Sequence, residues 1–147
     1  MRRIQSVRYA PAAAWLLPWL RANRGYLGAP ALWVSDRWPN EDDDPPSEWV
    51  AVIDGGGEDT GRVTQTRDFT VNIAAATRRR VDDLAARVAA LIRVSPYDPD
   101  IPVARVDFMT GPHQIADDAY ENLRSLTVTV TTVGTVDTIE IGEAHGS

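Results

Sequence analysis

The chain has 147 residues, 44% of them hydrophobic and 24% charged, with a formal net charge of −6. That is the composition of one globular domain able to bury a core without disulfides or metal. Cysteine is absent and all 15 basic residues are arginine, which excludes disulfide frameworks, thiolate metal sites, cysteine nucleophiles, Schiff-base lysines and a Walker-type phosphate lysine.

The N-terminal MRRIQSVR followed by AAAWLLPWL superficially resembles a signal peptide with paired arginines. Its apolar part is short, contains Pro18, Trp15 and Trp19, and runs into Arg21 and Arg24 without a small-x-small cleavage site. It is also too short to span a bilayer. An amphipathic helix from about Pro11 to Ala22 is expected instead, with Pro11 in the first turn, where a missing N–H costs nothing. Trp15, Trp19, Leu16 and Leu20 share a face, Pro18 should kink or shorten the helix, and Gly25 should stop it.

Ala31 to Ser35 reads as a short strand, and Arg37 to Ser47, RWPNEDDDPPS, as a loop of turn formers and acids. Trp49 to Asp54 is apolar on both faces and reads as a strand inside a sheet, broken by Gly55, Gly56 and Gly57. The polar run Glu58 to Gln65 should then form a long, flexible hairpin to an antiparallel partner.

That partner opens the most regular stretch of the chain, RDFTVNIAAATRRRVDDLAARVAALIR. Phe69, Val71, Ile73 and Ala75 alternate with Thr70, Asn72 and Ala74, the pattern of a half-buried strand. Val81, Leu84, Ala85, Val88, Leu91 and Ile92 recur at offsets 0, 3, 4, 7, 10 and 11, one stripe of a helix that carries Asp82, Asp83, Arg87 and Arg93 opposite.

Pro96, Pro99 and Pro102 make a stiff connection to a fourth strand in which Ala104, Val106 and Phe108 face the core. Thr110 to Asn122 reads as a polar loop, and Leu126, Val128 and Val130, alternating with threonines, as a fifth strand. From Gly134 the pattern decays, with a short extra strand at most at Thr138 to Ile141. The fold expected is α+β, a mainly antiparallel sheet of four to five strands with two helices packed on one face. One domain should cover residues 1–135, followed by a tail over 136–147.

In element order and texture the chain resembles the tail terminator proteins of long-tailed phages of siphovirus type, particularly those of actinobacterial hosts. The resemblance spans roughly residues 8 to 133. It rests on the apolar first helix, EWVAVIDGGG, RDFTVNIAAAT, VDDLAARVAALI, VARVDFMTGP and the final threonine-rich strand. It implies a structural virion protein of the tail and neck, assembled in the host cytoplasm as a hexameric ring. That ring would cap the tail tube, end its polymerisation and join it to the head-side connector. The implied partners are further copies of the chain, the major tail tube protein and the head-completion protein. Genome DNA would pass through the lumen without specific binding, as an acidic subunit suits. A head-closure or other neck protein is the alternative within that assembly, and a small-molecule-binding enzyme the alternative outside it.

The residues offer little for catalysis. His113, with Asp117 and Asp118, falls on an irregular stretch without a second histidine nearby, and His145 sits in the tail. Gly55 to Gly57 match neither GxGxxG nor GxxxxGK[ST], and Asp98 and Asp100 lack an EF-hand spacing. No GxSxG elbow surrounds a serine. The expectation is a protein without enzymatic chemistry, metal, cofactor or membrane span. Two charge clusters are the candidate contacts with a neighbouring subunit or the tail tube. Arg78, Arg79 and Arg80 stand at a helix start, where the macrodipole disfavours cations by about 0.3–1 kcal/mol each. Glu41, Asp42, Asp43 and Asp44 repel one another beside two prolines.

Overall fold

Apolar stripes of period 2 and period 3.6 in the middle of the chain do pack on one another. In the computed structural model, residues 1–40, 44 and 46–142 are described. The order is β1 (Arg2–Arg8), α1 (Ala12–Ala22), α2 (Arg24–Leu27), β2 (Trp33–Ser35), β3 (Trp49–Asp59) and β4 (Thr64–Ala74). Then follow α3 (Arg78–Arg93), a 3-10 turn (Ser95–Tyr97), β5 (Val103–Gln114), β6 (Leu123–Val133) and β7 (Thr135–Ile141).

A five-stranded sheet has the order β2-β3-β4-β6-β5, and only β2 and β3 run parallel. The fold is therefore α+β with a mainly antiparallel sheet. β4 and β5 point the same way with β6 between them, and α3 carries the chain from one to the other. α1 and α3 cover the same face. Leu16 and Leu20 of α1 and Leu84, Val88 and Ile92 of α3 share one core with Val50, Val52, Phe69, Val71, Leu126 and Val128. Each such side chain, fully removed from water, contributes about 1.5–3 kcal/mol.

Helix boundaries follow local chemistry. The Thr77 hydroxyl accepts the Arg80 N–H at 3.1 Å and caps α3. α1 runs through Pro18 to Ala22 without being cut short. Ala14, whose carbonyl loses its partner at Pro18, is exposed, so water can take the place of the missing N–H. Gly25 does not stop the helical region but lies inside α2. Gly28, at φ 66°, ends it with a left-handed cap.

The glycine triplet likewise does not break β3. Gly55–Gly57 continue the strand through a bulge between Asp54 and Gly56, and the ladder with β4 runs on to Asp59 opposite Gln65. The expected flexible hairpin is thus paired almost to its tip, where the Thr60 N–H reaches the Thr64 carbonyl at 3.1 Å. A Cβ on Gly57 would lie 2.7 Å from the Gln65 side chain and from the Thr66 carbonyl, so glycine permits the close approach.

β5 departs from its expected alternation. Ala104 and Phe108 are exposed, Phe108 by 62%, and the expected polar loop starts only after Gln114. Register shifts after Val103, Val106 and Thr110 convert the spacing to three, so Val103, Val106 and Met109 turn towards the helices.

The opposite, helix-free face holds a smaller cluster at one end. Trp49, Ala51, Ala74 and Leu123 pack there with Trp33, Trp38, Ile115 and Tyr120. The Trp49 ring lies 5.2 Å from Trp38 and 5.0 Å from Tyr120. Elsewhere this face is floored by three threonines and an acid, Thr70 opposite Thr127 and Asp68 opposite Thr129.

β1 and β7 form a separate antiparallel ribbon, from Arg2 opposite Ile141 to Arg8 opposite Thr135. β1 lies in a stretch for which no strand was expected, and β7 begins three residues before the short strand suggested by the pattern. Its root hangs from the β3–β4 hairpin: the Tyr9 hydroxyl donates to the Thr64 carbonyl at 3.0 Å, and the Gly134 N–H to the Val63 carbonyl at 2.8 Å.

Candidate assembly surfaces

The arginine cluster divides in two. Arg78 and Arg79 are exposed on the first turn of α3 and have no hydrogen bond or ion pair among the described residues. Arg80 turns inward. Its guanidinium pairs with both Glu48 carboxylate oxygens, contacts Asp83 at 3.4 Å and donates to the Gly28 carbonyl at 2.9 Å. The Glu48 hydrogen bond, followed by the charges of Glu48 and Asp83, raises its pKa despite the opposing effect of burial. Arg80 therefore ties α3, α2 and the start of β3 together within one chain, and the outward-facing pair is Arg78 and Arg79.

Of the acidic cluster, Glu41, Asp42 and Asp43 lie outside the described residues. Asp44 is exposed. Four residues further, Glu48 joins that loop to the arginine cluster through Arg80.

The remaining candidates resolve into turns and struts. His113 is exposed on β5 opposite Ser125. Asp117 accepts the N–H groups of Ala119 and Tyr120, closing the turn before β6. Asp98 accepts from Trp19 Nε1 at 3.1 Å and from the Asp100 N–H at 2.9 Å. His145 lies outside the described residues. Among the described residues no group of three or more acids and histidines is placed to hold a metal, and no helix is long and apolar enough to cross a membrane.

Asp54 is a hub the sequence did not single out. Its carboxylate accepts from the Ala12 N–H at 2.8 Å, the Gly56 N–H at 2.9 Å and Arg67 Nη2 at 2.8 Å. Burial pushes its pKa up, but those hydrogen bonds and the Arg67 charge outweigh it and hold the group below the ordinary aspartate value.

The two edges of the main sheet are blunted. At β2, Arg21 donates to the Val34 carbonyl at 2.7 Å and Arg24 to the Leu32 carbonyl at 2.9 and 3.0 Å. At β5, three register shifts and Pro112 interrupt the edge. The β1–β7 ribbon has neither device: its register runs through seven pairs without a shift or a proline. One face carries Ile4, Ile139 and Ile141, each at least 40% exposed, together with Arg2 and an Arg8–Asp137 ion pair of 2.8 Å. The other carries the Arg3–Glu140 ion pair at 3.3 Å and the Val7–Val136 pair. The ribbon strands, with residues 1 and 142, hold three arginines against two acids, whereas residues 9–134 hold twelve arginines against eighteen acids.

No protein-family model matches the chain, and no curated protein matches it either.

Proposed function

We propose that the chain is a ring-forming structural protein of a long-tailed phage virion, a tail terminator. It caps the tail tube, ends its growth and presents a surface to the head-side connector. The observation that supports this reading most is the β1–β7 ribbon, which leaves the body with an isoleucine face in water. An isolated two-stranded ribbon is at best marginally stable. Such an arm suits a subunit that completes its burial on a neighbour, through contacts between different faces that close into a ring.

The element order that resembles tail terminators is present as a sheet with both longer helices on one face, a framework suited to displaying projections. The acidic body suits a channel that lets DNA slide without sticking. Electron microscopy of the purified protein with and without tail-tube subunit tests the reading. The expected result is rings that cap tubes and fix their length. Rings that ignore the tube but bind the portal-side connector would replace the terminator with a head-closure protein, and absence of any ring would overturn both.

A further inference from the structure

We infer that the ribbon of one copy docks, isoleucine face down, on the helix-free face of the next copy's sheet, between Ile53 and Phe108. The inference rests on the self-assembly in the proposed function and specifies its contact.

The two surfaces match in shape and polarity. Ile53 on β3 and Phe108 on β5 are 39% and 62% exposed, and both point away from the helices. With β4 and β6 between them their strands lie about 14 Å apart, at about 4.8 Å per strand. The two side chains are staggered, Ile53 in the row of Thr70 and Thr127 and Phe108 two residues along in the row of Asp68 and Thr129. The floor between them is Thr70, Thr127 and Thr129, small side chains that leave a shallow trough. A two-stranded ribbon fits that width. Ile4, Ile139 and Ile141 would meet threonine methyl groups and the two apolar walls.

Charge places a second copy there. Arg2 lies on the same ribbon face as Ile4, and neither Arg2 nor Asp68 in the trough has an ion-pair partner among the described residues. Asp68 is held by the Thr129 hydroxyl at 2.7 Å, which fixes its carboxylate without neutralising it. Asp107, at the Phe108 wall, is already paired with Arg105 and accepts the Thr131 hydroxyl, so Asp68 is the acid of the trough that the ribbon's Arg2 would meet. A ribbon with more arginines than acids thus meets a body with more acids than arginines. Within one chain both surfaces are in water, so a chain does not fill its own trough. Ribbon and trough are different faces, and a contact of that kind propagates until it closes.

The test uses the full chain. Light scattering after gel filtration should show an oligomer for the wild type. Ile139→Asp should weaken assembly about tenfold or more while leaving the circular dichroism spectrum unchanged. Asp68→Arg should weaken it too, and Arg2→Asp added to Asp68→Arg should restore part of the loss. Because the chain has no cysteine, Ile139→Cys and Phe108→Cys chains can be mixed and oxidised. A mixed disulfide dimer should form faster than either homodimer, and this readout remains if Ile139→Asp unfolds. If the wild type assembles, Ile139→Asp assembles equally well and no mixed dimer forms, the docking is wrong and the ring stands. A wild type that stays monomeric at every concentration overturns both.

Discussion

Asp54 caps α1 from a strand 42 residues away: its Oδ2 accepts the Ala12 N–H at 2.8 Å, at a helix start where Pro11 has no side-chain cap to offer. The same carboxylate holds Arg67, whose side chain is only 13% exposed. Removing it strands a helix N–H and a mostly buried guanidinium together. Asp54→Ala should therefore cost about 2–4 kcal/mol in urea unfolding. The pH dependence has a definite sign. Because the folded pKa is lowered, the contribution of Asp54 is fully present above its unfolded value, about 3.9, and is lost as pH falls through the folded pKa. Asp107 acts in the same direction: burial raises its pKa, but Thr131 and Arg105 more than offset this. Asp54→Asn should flatten the acid limb of the stability curve, and an unchanged limb would remove Asp54 from this role.

The three neighbouring arginines should behave differently. Arg80→Ala breaks the link to Glu48 and to the Gly28 carbonyl and should destabilise by about 1–3 kcal/mol. Arg78→Glu with Arg79→Glu should leave stability equal or slightly higher, since a helix N-terminus favours acids by about 0.3–1 kcal/mol each. If this exposed pair contacts a neighbour or the tube, the double variant should still weaken assembly in a salt-dependent way. Thermal melts read the first effect, and light scattering across a salt series reads the second.

Burial separates Leu84 from Phe108. Leu84 is fully buried between α3 and the sheet, and Leu84→Ala should cost about 2–5 kcal/mol. Phe108→Ser should stay within about 0.5 kcal/mol of wild type when the dissociated subunit is titrated with denaturant. A large loss at Phe108 would mean that the β5 bulges do not turn it outward.

Gly57→Ala should destabilise the hairpin by about 1–3 kcal/mol, because its new methyl meets the Thr66 carbonyl and the Gln65 side chain at 2.7 Å. Gly25→Ala, with nothing within 4 Å of the added carbon, should be neutral or slightly stabilising. Equal melting temperatures for the two variants would contradict the pairing of the distal hairpin.

The parts of the fold legible in the sequence are those whose side chains meet a core. The α3 stripe and the alternation of Phe69, Val71 and Ile73 are written in burial, and all of them are buried. On β5 the expected core side was right for Val106 but wrong for Ala104 and Phe108, because bulges change the period, and backbone irregularity has no hydropathy signature. Arg2–Arg8 was missed for the opposite reason: its strand covers nothing in its own chain, so no alternation is imposed on it. At the candidate surfaces, composition identified the arginine cluster but could not divide it. Only the fold brings Glu48, 32 positions away, to Arg80. Asp54 was hidden because its three donors come from three separate places in the chain.

The ribbon pairs residues more than a hundred positions apart. Closing so large a loop is entropically costly for an open chain, but the cost falls once the sheet has brought Tyr9 and Gly134 to the same hairpin. The arm is therefore expected to zip last during folding and to open first, with its amides exchanging well before those of β4 and β6. A freshly made subunit would carry a finished body and a loosely latched arm, and capture of that arm by a neighbour would be its final folding step.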